Sequence, residues 1–205
     1  MKLLTYILIF LFFSNTSLAF DVSTEKKEAR DFINNIGQQI IAISKAEYSK
    51  SQKINEIIDI VDKSINSNWI SHFVLGIHYR NSTPQQQKKF TELYRQFMIN
   101  TYSPKFKDYD GEIFEVLEVI PKTKTYLVKT NFIAAKSNTK ILVDFRVKKN
   151  NDKFLVLDIV TEGISLIETQ RSEFNSVISQ QGMDSFLINL ENKINKLIQA
   201  NNASK

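Results

Sequence analysis

Few of the residue types that carry out covalent or metal chemistry occur in this sequence. It has no Cys and only two His, His72 and His78. Without a thiol, the chain itself forms no disulfide, zinc–thiolate site or iron–sulfur cluster, and it has no cysteine nucleophile. The two histidines are six residues apart with Gly76 between them, whereas two ligands on one helix face need a spacing of about three or four. We therefore expect no metal site.

The sequence motifs of common enzyme classes are also missing. The segment Gly163-Ile164-Ser165-Leu166-Ile167 lacks the second glycine of a nucleophile elbow. No P-loop and no dinucleotide fingerprint occurs. Glu112, Glu115 and Glu118 lie close together on one predicted strand, but carboxylates on an edge strand usually face water. We therefore predict no catalytic residues, no cofactor and a protein that is not an enzyme.

Two charged residues stand out by their position. Asp158 lies inside an apolar strand, and Arg171 lies one to two helical turns beyond Ser165. An unpaired buried charge is costly. We therefore expect Asp158 to pair with a base such as Arg146 or Arg171.

The N-terminal segment has the pattern of a secretory signal peptide. Met1-Lys2 precedes an apolar run from Leu3 to Phe13, and Ser17-Leu18-Ala19 places small residues before a cleavage point. The run is too short to span a bilayer core of about 30 Å. We therefore predict a signal peptide over residues 1–19 and export to a bacterial periplasm.

The periodicity of the mature chain predicts one domain, over residues 20–205. Apolar residues recur at helical spacing through most of 20–104, alternate at period two in four segments within 111–161, and return to helical spacing over 165–200. The short polar connections between the strands favour antiparallel hairpins. This order predicts an α+β fold with a sheet of about four strands between N- and C-terminal helices.

Three groups of residues resemble the MlaC family of periplasmic phospholipid-binding proteins, also called toluene-tolerance auxiliary components of an ABC transporter. The longest is Leu157 to Ile167 with Arg171 and Phe174. The second is Leu75-Gly76, Tyr79-Arg80, Thr83, Gln86 and Phe90, and the third is Phe97 with Tyr102. Tyr79 and Phe154 stand where the family often has Trp, and the first two helices carry no matching motif.

The resemblance implies a nuclear-transport-factor-like fold, in which a curved sheet and its flanking helices enclose an apolar cavity. Phospholipid would be the cargo, with its tails inside and its headgroup at the mouth. The implied function is shuttling lipid between the outer and inner membranes, which maintains the lipid asymmetry of the outer membrane. The implied partners are an inner-membrane ABC transporter with an MCE-domain subunit, an outer-membrane lipoprotein–porin complex and, transiently, the membrane surface.

We predict an apolar lining for this cavity and a polar mouth. The predicted lining residues are Phe73, Phe97, Phe114, Val116, Val128, Phe132, Val143, Phe145, Ile159, Ile164 and Leu166. Asp158, Gly163 and Arg171 are assigned to the mouth or to a structural role, with headgroup contact by Arg171 as an alternative.

Two other functions fit the same residues. One is an enzyme acting on a small apolar substrate, with Asp158, Tyr94 or His78 as acid or base. The other is a scaffold with a filled core, because lining and core use the same residue types.

Overall fold

The computed structural model describes residues 16–102, 113–133 and 140–203. Most of the predicted signal peptide therefore lies outside the described residues, as do the ends of three predicted strands at residues 112, 134 and 139. Within the described residues the fold is α+β, with seven helices and one five-stranded antiparallel sheet that does not close into a barrel.

The helices begin where short polar side chains can cap them. Ser49 and Gln52 form a capping box before α2, and Thr83 and Gln86 exchange backbone and side-chain hydrogen bonds of 2.9 and 3.2 Å at the start of α5. These bonds satisfy N–H groups that the first helical turn leaves unpaired. The helices are α1 (Thr16–Lys45), α2 (Lys50–Ser64), α3 (Ser67–Leu75), α4 (Ile77–Asn81), α5 (Pro84–Tyr102), α6 (Leu166–Gln181) and α7 (Met183–Ala203).

The strands follow one another across the sheet in chain order, each antiparallel to the next. They are β1 (Ile113–Pro121), β2 (Tyr126–Ile133), β3 (Lys140–Asn150), β4 (Lys153–Thr161) and β5 (Ile164–Ser165). The four predicted strands are confirmed. The fifth, of two residues, was not predicted; it pairs with the end of β4 after a turn in which Glu162 and Gly163 have φ of 53° and 80°.

The apolar interior is divided into two clusters. The helical cluster is formed by α3, α5, α6 and α7, with Phe90 and Phe174 among its rings. The sheet cluster joins α1 to one face of β1–β4. Ile65, between α2 and α3, packs against both clusters, and its main chain bridges to Val156 of β4. The boundary between the helical cluster and the sheet cluster therefore lies beside β4.

Candidate functional site

One face of the sheet carries most of the predicted lining. The strand register places Phe114 opposite Phe132, Val128 opposite Phe145, and Phe145 opposite Ile159. Side chains two residues apart on a strand share a face. The predicted lining residues on this face are Phe114, Val116, Val128, Phe132, Val143, Phe145 and Ile159.

Helix α1 covers only part of this face. Phe114 and Val128 are buried in the sheet cluster with Ile33 of α1. The other five predicted lining residues on this face are partly exposed, and they pack at the edge of the sheet cluster or beside it. We call these five residues the half-buried strip. The half-buried strip consists of Val116, Phe132, Val143, Phe145 and Ile159.

A glycine lets α1 approach β1 closely. A Cβ atom added to Gly37 would lie 2.1 Å from Cδ1 of Phe114, so the phenyl ring occupies the space that any other side chain would need. Glycine costs about 1 kcal/mol in a helix interior relative to alanine. Gly37 thus lowers the stability of α1 locally but allows the helix to pack directly against the sheet.

Polar contacts hold α1 along the sheet. Arg30 donates to the main-chain oxygens of Val116, at 2.7 Å, and Leu117, at 3.5 Å, where β1 has an irregular register. Tyr126 donates to Glu25 at 2.6 Å, and Lys149 donates to Glu28 at the same distance. These bonds fix the end of α1 that precedes Gly37.

The remaining predicted lining residues lie away from this face. Phe97 is buried in the helical cluster, and Phe73 packs against it. Ile164 is 64% exposed on β5. Leu166, the first residue of α6, is half-buried. The fold therefore does not bring all eleven predicted residues to one surface.

Two open clefts lie beside α1, and none of the predicted lining residues borders either. One, of about 520 Å³, lies between α1 and α2; its lining includes Ile36, Ile43 and Ile60. The other, of about 550 Å³, lies between α1 and the β3–β4 turn. Phe32 borders both clefts and packs in the sheet cluster. These clefts were not predicted from the sequence, although Phe32, Ile36 and Ile43 belong to the apolar stripe of α1.

Asp158 is held by polar contacts at the junction of β4 and α6. It is 2% exposed and accepts hydrogen bonds from Ser165 Oγ at 2.7 Å and the Ile167 N–H at 3.3 Å. Arg146 lies opposite Asp158 on β3, and its Nη2 is 3.7 Å from Asp158 Oδ2. Burial raises the pKa of Asp158 despite these contacts, which act in the opposite direction. Of the two predicted bases, Arg146 is therefore the one that pairs.

Arg171 binds the end of α3 instead. Its Nη1 donates to the main-chain oxygen of Phe73 at 2.9 Å, and its guanidinium lies 4.9 Å from the centre of the Phe73 ring. A Cβ atom on Gly76 would lie 2.8 Å from the Arg171 Nη2. Asn175, one turn further along α6, donates to Val74 O at 2.8 Å. These contacts hold α6 against the end of α3, which is a different arrangement from the predicted pairing of Arg171 with Asp158.

Of the residues considered for acid–base catalysis, Tyr94 lies close enough to Asp158 to feel its charge, and His78 contacts a different part of α6. Burial raises the pKa of Tyr94, whose hydroxyl hydrogen-bonds to Gln170. His78 Nε2 lies 3.4 Å from Ser179 Oγ. Asp158, Tyr94 and His78 border neither cleft. Their positions do not form a shared acid–base site beside either cleft.

Across residues 16–102, 113–133 and 140–203, no three His, Asp or Glu side chains are grouped as metal ligands would be. None of the helices in those ranges combines the length and the apolar character needed to cross a bilayer.

Comparison with known proteins gives three consistent matches. The family model described as MlaC protein matches residues 34–192. The intermembrane phospholipid transport system binding protein MlaC of Haemophilus influenzae is 21% identical over 131 residues, which are 62% of this chain and 61% of that protein. The chain thus matches about three fifths of that relative's length.

The third match is to a solved structure. The phospholipid-binding protein of Ralstonia solanacearum, solved in complex with a phospholipid, superposes with a TM-score of 0.75 at 18% identity. The match covers 83% of this chain and 98% of that one. At this identity the likeness establishes a shared fold.

Proposed function

The chain belongs to the MlaC protein family, and from this premise we propose that it is a periplasmic carrier of phospholipid. In this proposal it receives the acyl chains of a phospholipid, shields them from water and delivers them between the outer and inner membranes. A cleavable signal peptide at residues 1–19 would export it. Its protein partners would be the inner-membrane ABC transporter with an MCE-domain subunit and the outer-membrane lipoprotein–porin complex.

The observation that carries the proposal is the half-buried strip. Its five apolar side chains lie side by side on the face that α1 covers only in part. Contiguous apolar surface that the rest of the fold leaves partly uncovered is typical of a ligand-binding groove. We propose that acyl chains cover the half-buried strip and complete the sheet cluster.

The energetics favour such a non-directional site. Two tails of about 15 methylenes each represent roughly 24 kcal/mol of gross hydrophobic stabilisation, at about 0.8 kcal/mol per methylene. A bilayer shelters the same groups, so only the difference between protein and bilayer drives loading and release. An apolar site that closely matches a bilayer keeps this difference small, as a carrier requires.

The polar residues near the predicted mouth already have partners within the protein. Asp158 pairs with Arg146 and Ser165, and Arg171 binds the Phe73 carbonyl. We therefore propose that the headgroup remains in solvent, without a charged clamp supplied by these residues.

Two substitutions on β3 test the proposal. Phe145 belongs to the half-buried strip, whereas Leu142 is exposed on the opposite face of the same strand. Replacing Phe145 by Ser removes about 1.5–3 kcal/mol of apolar contact, so phospholipid retained per folded protein should fall about tenfold or more. Leu142→Ser is the matched control and should retain wild-type amounts.

The measurement is mass spectrometry of the organic extract of each purified variant, normalised to folded protein. Transfer of labelled lipid between two vesicle populations should fall in parallel with retention. Equal phospholipid retention by wild type, Phe145→Ser and Leu142→Ser would show that the half-buried strip is not part of the lipid site.

A further inference from the structure

The surface formed by α3 and α4 exposes large apolar side chains. Trp69 is 36% exposed and Ile77 is 58% exposed. His72 and Arg80 are exposed beside them, and Phe73 and Tyr79 are half-buried. We call this surface the α3–α4 face. It consists of Trp69, His72, Phe73, Ile77, Tyr79 and Arg80.

Ring contacts order the aromatic side chains of the α3–α4 face in two pairs. Trp69 stacks on Phe73 with ring centres 5.3 Å apart, and His72 stacks on Tyr79 at 4.2 Å. Arg171 of α6 covers Phe73 and binds its carbonyl. Because the rings are held against one another, the face is presented as a fixed surface.

The charge of the α3–α4 face has one sign. The sequence contains no Asp or Glu between Lys63 and Thr91. The α6 side chains that hydrogen-bond to α3 and α4 are Arg171, Asn175 and Ser179, which include no carboxylate. Exposed aromatic and apolar side chains therefore lie beside the positive charges of Arg80 and Arg171.

We infer that the α3–α4 face docks reversibly on a bilayer that carries anionic phospholipid. Tryptophan is favoured at the boundary between headgroups and acyl chains, and each arginine near an anionic surface contributes about 1 kcal/mol. Trp69 and Ile77 enter the headgroup region, and Arg80 lies at the phosphates. The inference rests on the proposed function, in which the carrier meets protein partners that are themselves embedded in a membrane.

Trp69 is the only tryptophan of the chain, so intrinsic fluorescence reports on this surface in the unmodified protein. The probe is a titration with phosphatidylglycerol vesicles and, separately, with phosphatidylcholine vesicles. We expect the emission to shift to shorter wavelength and to be protected from a soluble quencher only with phosphatidylglycerol. Salt at about 0.5 M should reverse both effects, because it screens the attraction.

Sedimentation with the same vesicles separates docking from uptake of lipid. Arg80→Ser should weaken association with phosphatidylglycerol vesicles about fivefold, and Ile77→Ser should weaken it similarly. Ile188 of α7 is 56% exposed, so Ile188→Ser is the matched control and should associate like wild type. All three variants should retain wild-type amounts of co-purified phospholipid.

If phosphatidylglycerol vesicles neither shift the Trp69 emission nor sediment the protein, the inference is overturned. The next partner to test for the α3–α4 face would then be an acidic protein surface. Equal weakening by Ile188→Ser would also overturn it. If vesicle association fails while phospholipid is retained, the inference falls alone; if the wild type associates as expected but never holds phospholipid, the proposed function falls.

Discussion

At the scale of single residues, Asp158 makes the stability of the protein depend on pH. Its ordinary pKa is 3.8, and burial raises the pKa in the folded chain. Between these two values the folded state binds more protons than the unfolded state. The contribution of Asp158 to stability is therefore largest in acid and is lost as the pH rises through the folded pKa.

Asp158→Asn should remove this dependence. As the pH rises from about 4 to 7, the free energy of unfolding, measured by urea denaturation, should decrease for the wild type relative to Asp158→Asn. Asp152, an exposed carboxyl in the β3–β4 turn, provides the control, and Asp152→Asn should follow the wild-type curve. A wild type that gains stability over the variant as the pH rises would show that hydrogen bonding and Arg146 outweigh burial.

At the scale of elements, the contact between α1 and β1 depends on Gly37. Gly37→Ala should favour the helix by about 1 kcal/mol but forces its methyl group into the Phe114 ring. Overpacking of this kind costs about 1–3 kcal/mol, so we expect a net loss of stability in urea denaturation.

A double-mutant cycle identifies the cause. In a Phe114→Ala background the obstructing ring is gone, so Gly37→Ala should become neutral or stabilising. Asn34→Ala, at an exposed position of α1, controls for helix propensity. Stabilisation by Gly37→Ala in the wild-type background would contradict the close approach of α1 to β1.

Signals carried by a few neighbouring residues made most elements predictable. The helical spacing of apolar residues predicted the long helices, and the alternation along β3 predicted a strand. The five-residue α4 and the two-residue β5 escaped prediction because such short elements have no measurable period. Arg30 binds β1 at its irregular register from 86 positions away in the chain, and no local pattern encodes that contact.

The candidate site was less predictable for a physical reason. The alternation of β2 and β3 correctly placed Val128, Phe132, Val143 and Phe145 on one face. Whether such a residue is buried or partly exposed depends on where α1 lies, and α1 lies where Gly37 and Arg30 allow. Val128 is fully buried and Phe145 is not, although both are apolar residues in similar strands.

At the scale of the whole molecule, the division into two apolar clusters is the feature that the proposed function uses. The helical cluster is closed by aromatic contacts such as Phe90 with Phe174. The sheet cluster is bordered by the half-buried strip and by the clefts at Phe32. We propose that lipid tails join the sheet cluster and leave the helical cluster unchanged.

Native mass spectrometry of the mature protein, purified without detergent from a bacterial periplasm and followed by lipid extraction, tests the central proposal most directly. We predict a folded chain whose mass is increased by intact phospholipid, which the extract then releases unaltered. A chain that carries no lipid would support a scaffold with a filled core, and a bound small molecule that is chemically converted would support an enzyme. Either result would contradict a carrier that shelters acyl chains.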